Sequence, residues 1–117
     1  MRIALAAILL STLSTAALAD ARTDSHATLT TIARWGVCLQ DTMSDMQAKS
    51  MVYATVSKVD ASFQRKYGQK ATELAQAAYG DDFVQFYYNA AKADHAKLAN
   101  RDATCRTLNQ KVVALAQ

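Results

Sequence analysis

The sequence predicts an all-α domain, a small four- to five-helix bundle stapled by one disulfide. The 117 residues include no Pro and only three Gly, too few turn residues for the closely spaced reversals of a sandwich or barrel. Apolar residues recur at three-and-four spacing in one segment after another, the period of a helix with one buried face. The only two cysteines, Cys38 and Cys105, fall in the first and last of these segments.

The first nineteen residues read as a cleaved signal peptide rather than as part of the fold. Arg2 supplies a positive start, residues 3–10 are an unbroken apolar run, and Ala17-Leu18-Ala19 has the small-x-small form of a cleavage site. The apolar run is shorter than the roughly 20 residues a membrane span needs. The expected organisation is therefore 1–19 signal peptide and 20–117 single helical domain, exported to the bacterial periplasm, with no membrane contact once the signal is removed.

In that oxidising compartment an even pair of cysteines in a domain under about 100 residues is most simply a disulfide. Residues 20–26 are polar and without period, and are expected to fray. Helix 1 then follows, with Leu29, Ile32, Trp35, Gly36, Leu39 and Met43 on one stripe and Cys38 beside it. Ser44 and Gln47 have the spacing of a capping box. They open a second helix over 45–67, whose apolar face is Ala48, Met51, Val52, Thr55, Val56, Val59 and Phe63. Gly68 suits the left-handed position after a helix end.

A shorter third helix turns Ala71, Leu74, Ala75 and Ala78 inward and closes at Tyr79-Gly80. Asp81 or Asp82 can cap the next helix, since a carboxylate accepts from orphan N–H groups at the positive dipole end. That helix is rich in aromatics: Phe83, Phe86, Tyr87 and Tyr88. At about 100° per residue they cannot all share one face. The chain breaks at Asn100-Arg101-Asp102. A last helix, with Asp102 as the expected cap, aligns Cys105, Leu108, Val112 and Leu115.

Little in the sequence points to catalysis. Glu73 and nine Asp are the carboxylates, Asp81-Asp82 is an adjacent pair rather than two facing groups, and there is no nucleophile elbow or Gly-rich phosphate loop. No catalytic residue and no cofactor is expected. No metal site is expected either: His26 and His95 are far apart, lack ligand-type neighbours at helical spacing, and His95 reads as a surface or edge residue. Of 13 basic residues only Arg2 lies in the leader, against 10 acidic ones, so the excess is too small for a nucleic-acid binder. Lys58, Arg65, Lys66 and Lys70 surround the turn at Gly68 and suit a solvated helix end.

Trp35-x-x-Cys38-Leu39 in helix 1, an amphipathic second helix carrying Tyr53, and Cys105 with Leu108 and Leu115 on the last helix form an arrangement behind a signal peptide. It resembles the periplasmic immunity proteins that guard against type VI secretion amidase effectors. The resemblance implies a non-enzymatic helical inhibitor, often a homodimer. Its partner would be a secreted peptidoglycan amidase, a papain-like cysteine hydrolase whose cleft a protruding loop blocks. The partner-binding element expected here is Tyr79, Gly80, Asp81, Asp82 and Phe83, which joins aromatic anchors to a permissive Gly and two carboxylates. Turns at 67–69 and 100–102 are further candidates. Two other functions fit a small secreted bundle: a periplasmic acid-stress chaperone, although a single Glu leaves little to titrate mildly, and a small-ligand-binding bundle with an apolar pocket.

Overall fold

The computed structural model describes the backbone of residues 2–79 and 87–117 and the side chains of 18–77 and 87–117. Five helices run in order among these residues: α1 (Arg2–Leu39), α2 (Asp45–Tyr67), α3 (Gln69–Tyr79), α4 (Asn89–Ala96) and α5 (Arg101–Leu115), with no strand. Every other helix packs on α1, and α2 also touches α3 and α5.

α1 serves four neighbours because different sides of it are buried at different heights. Ile32, Trp35 and Cys38 join Val59 of α2 and Leu108 and Val112 of α5 in the main core, flanked by Val52, Val56, Phe63 and Leu115. Ala33 and Val37 turn instead toward Tyr87 and Ala91. Ala21 meets Ala71 and Ala75 of α3 and the ring of Tyr67. Short side chains there let two backbones approach closely.

The segment expected to fray is helical and packed. Ala21, Ser25, Thr28, Ile32 and Trp35 are all buried, at 4-3-4-3 spacing, so the inward stripe extends well before residue 27. Two of its members are polar, which hid the period. The threonines of this stretch fit a helix because Thr23, Thr30 and Thr31 donate their hydroxyls to carbonyls one turn earlier.

The capping box at Ser44 is formed in both directions. Gln47 N–H donates to Ser44 Oγ, and the backbone N–H of Ser44 to Gln47 Oε1. Gly68, at φ 86°, ends α2 in the region that favours glycine, and its N–H bonds the carbonyl of Gln64. Three expectations are corrected. Met51 and Leu74 are exposed rather than inward, because among the described residues no helix covers the edges of α2 and α3 on which they stand. The cap of α5 is Asn100, whose side chain accepts from Ala103 N–H, and Asp102 lies two residues on, within the first turn.

Gly36 marks a close approach of α1 and α2: a Cβ there would stand 2.9 Å from Cγ2 of Val52. Gly36→Ala gains about 1 kcal/mol of helix propensity, but overpacking against a branched side chain costs about 1–3 kcal/mol. We expect Gly36→Ala to lower stability and Val52→Ala to relieve it. A urea-unfolding double-mutant cycle should then give a coupling of about 1 kcal/mol.

At the far end of α2, Tyr67 donates its hydroxyl to Asp24 of α1 at 2.7 Å, with Lys66 Nζ 3.4 Å from the same oxygen. Burial, then the bond to Asp24, raises the Tyr67 pKa; the bonds to Tyr67 and Asp24 raise that of Lys66. The folded state thus keeps protons that the unfolded chain releases above pH about 10. Stability attributable to these groups is complete below that pH and declines as pH rises through the raised values. Urea midpoints measured from neutral to strongly alkaline pH should fall more steeply for the native chain than for Tyr67→Phe.

Candidate functional site

Gly80, Asp81, Asp82 and Phe83 of the expected partner-binding element lie outside the described residues. Tyr79 closes α3, and its side chain is also outside them. Two other places in the described structure gather functional groups.

The first is the outward side of α2. Met46, Lys49 and Tyr53 recur at i, i+3 and i+7, which aligns them along one stripe. Met46 is 80% exposed and Tyr53 60%, and the Lys49 ammonium stands 5.9 Å from the Tyr53 ring centre. Tyr53 sits between two hollows. The larger, about 560 Å³, runs between α1, α2 and α3. Its apolar wall includes Leu29, Ile32, Val52, Val56, Val59 and Phe63, and its polar end Ser25, Thr28, Asp60, Thr72, Glu73 and Gln76. The smaller, about 220 Å³, lies toward Ala33, Gly36, Ala48 and Tyr88.

Both carboxylates on the larger groove are engaged by amides. Asp60 accepts from Gln64 Nε2 at 3.2 Å and also from Gln76, while Glu73 accepts from Gln69 Nε2 at 3.0 Å. Beside the smaller hollow Gln40 donates to the Tyr88 hydroxyl, and the Lys92 ammonium lies 5.6 Å from that ring centre. Tyr87, the deeper of this aromatic pair, is buried, and its hydroxyl lies 3.1 Å from His26 Nδ1. Thus α4 splits its neighbouring aromatics between core and groove edge, as the helical rotation requires.

The second place surrounds the crosslink. Cys38 and Cys105 are joined, with Cα atoms 5.7 Å apart, so α1 and α5 are stapled. His95 of α4 is not a surface residue: it is 9% exposed, and its Nε2 lies 2.8 Å from Asp41 Oδ2 in the turn after α1. One imidazole nitrogen and the two sulfurs all lie within 4.8 Å of one another. The sequence spreads these groups over 67 residues, and only the packing of α4 and α5 on α1 collects them. Cys38 and Asp41, three residues apart at a helix end, were the one local signal of it.

Among the described residues no helix is long and apolar enough to cross a membrane. Comparisons with protein-family models, with curated proteins and with solved structures find nothing that matches this chain.

Proposed function

We propose that this chain is a non-catalytic binding protein of the periplasm, an immunity protein that inhibits a type VI secretion peptidoglycan amidase. The observation that carries the binding reading is the α2 stripe, where Tyr53 stands exposed between two hollows with Met46 along the same face. A large amphipathic ring beside an apolar groove is the kind of anchor that dominates protein interfaces. Methionine adds an apolar surface that adapts to a partner's shape. The choice of amidase as partner rests on the resemblance carried by Trp35, Cys38, Leu39 and Cys105. Export is supported by the leader composition: Arg2, the apolar run at 3–10 and Ala17-Leu18-Ala19.

The α2 groove joins residues 79–83 as a candidate contact surface. A small-ligand-binding bundle is the second reading, favoured by the larger groove, whose volume falls within the roughly 300–1,000 Å³ of ligand sites. The test is capture of partners on the natively processed protein, followed by amidase assay of what is recovered. A stoichiometric amidase that loses activity on binding supports the proposal. Thermal stabilisation by small amphiphiles with no protein captured supports the ligand reading, and clients bound only in acid support the chaperone.

Tyr53→Ala separates the α2 surface from residues 79–83. If α2 is the anchor, the variant should bind about 30-fold or more weakly, the size of an interface hot spot. Its melting temperature should be nearly unchanged, because most of the ring is in water. Native affinity would remove α2 from the contact surface.

A further inference from the structure

We propose that, when the Cys38–Cys105 disulfide is reduced, the two thiolates and His95 bind one Zn²⁺ ion, and that oxidation to the disulfide releases it. Three donors from three different helices already converge. Both sulfurs and an imidazole nitrogen lie within 4.8 Å of one another, with Cys38 and His95 buried and Cys105 half-buried. A thiolate and imidazole set selects a thiophilic ion. Tetrahedral Zn–S bonds of about 2.3 Å place two sulfurs about 3.8 Å apart. With Cα atoms 5.7 Å apart, rotation of the two cysteine side chains meets that separation.

Asp41 supplies the second observation. Ligating histidines characteristically donate their other ring N–H to a carboxylate, which fixes the tautomer and aims the free nitrogen at the metal. Here Nε2 of His95 is held 2.8 Å from Asp41 Oδ2, which leaves Nδ1 as the nitrogen for coordination. Asp41 is thus a positioning residue. Cys38, Cys105 and His95 make three protein ligands, and the fourth position takes water or a partner's donor.

The redox balance is that of ordinary thiol–disulfide exchange. A dithiol reductant gives two electrons and two protons to the S–S bond, yielding two thiols, and is itself converted to a disulfide. Zn²⁺ then displaces the two thiol protons. In reverse, an acceptor disulfide takes two electrons from the thiolates and two protons from solvent, the S–S bond forms, and the ion leaves. In the oxidised state the crosslink joins α1 to α5; in the reduced state the metal joins α1, α4 and α5.

The test uses the full chain, reduced with a phosphine, desalted under argon and titrated with Co²⁺ and then Zn²⁺. The reduced protein should develop thiolate-to-cobalt charge-transfer absorption that saturates at one equivalent and is abolished by Zn²⁺. The oxidised protein should show none. His95→Ala should weaken Co²⁺ binding by well over 10-fold, and Asp41→Ala by about 10-fold or more. The oxidised forms of both variants serve as folding controls, since their disulfide is intact.

If the reduced chain loses its helical circular dichroism, one equivalent of Zn²⁺ should restore it. Absence of the charge-transfer band overturns the proposal. So does His95→Ala binding as tightly as the native chain, or a reduced chain that stays unfolded with stoichiometric Zn²⁺.

Discussion

Replacing Cys38 or Cys105 by Ser, in metal-free oxidising buffer, should lower the melting temperature by roughly 10–30 °C, from a loss of about 2–5 kcal/mol. The crosslink joins positions 67 residues apart, so it removes many open conformations from the unfolded chain. The loop-entropy relation gives about 4 kcal/mol for a loop of that length. That is a large share of the roughly 5–15 kcal/mol that holds a small domain folded.

The native side adds to the effect. Cys38 is 7% exposed within the main core, so a serine hydroxyl there replaces an apolar sulfur in apolar surroundings. Cys38→Ala separates the two contributions, because it breaks the crosslink without burying a hydroxyl. We expect Cys38→Ala to lie between the native chain and Cys38→Ser.

The loss should be concentrated in α5. That helix has 15 residues, a length at which isolated helices are marginal in water. Leu108 and Val112 are its buried contributions to the main core, with Leu115 partly buried at its end. Without the crosslink its amides should exchange with solvent well before those of α2. Identical melting curves for the serine variants and the native chain would mean that the crosslink does not support the fold.

How far the sequence foretold this structure depends on whether each signal was local. α2 is the clearest case. The expected boundaries at 45 and 67 coincide with those observed because Ser44, Gln47 and Gly68 act through backbone groups a few residues away. The start of α1 shows the opposite. Ser25 and Thr28 are buried where other helices pack on α1, and nothing in their own chemistry announces it. Met51 and Leu74 fit an inward stripe by period, yet burial also needs a neighbour to cover that edge.

The same distinction divides the functional groups. The Cys38–Cys105 pairing was legible because two cysteines admit one intramolecular connectivity. The contact of His95 with Asp41 was not, since it forms across 54 residues and depends on where α4 lands. Tyr53 was visible as an aromatic on an amphipathic helix. Its place between two hollows follows from how α1, α2, α3 and Tyr88 come together around it, which periodicity does not encode.

Trp35→Ala should destabilise the domain by about 3–5 kcal/mol, a fall of roughly 12–30 °C in melting temperature. Trp35 is 5% exposed and shares a cluster with Ile32, Cys38, Val59, Leu108 and Val112. It therefore joins the three helices of the main core at one point, and truncation leaves a void that all three line. The indole also donates Nε1–H to Asn109 Oδ1 at 3.2 Å. Trp35→Phe separates the two roles: it keeps most of the apolar area and loses the hydrogen bond, whose net worth is about 0.5–1.5 kcal/mol. Asn109 is exposed and can turn to water once the indole is gone. We therefore expect Phe to retain most of the stability that Ala loses. Equal losses for Phe and Ala would mean that the hydrogen bond to Asn109, rather than the packed ring, holds the helices together here. The crosslink sharpens the test, because Trp35 and Cys38 are one helical turn apart and both hold α5 against α1. A cycle through Trp35→Phe, Cys38→Ala and the double variant should show a coupling of about 0.5 kcal/mol or more. Strict additivity would mean that ring and crosslink secure α5 independently, and that its docking does not depend on their joint contact.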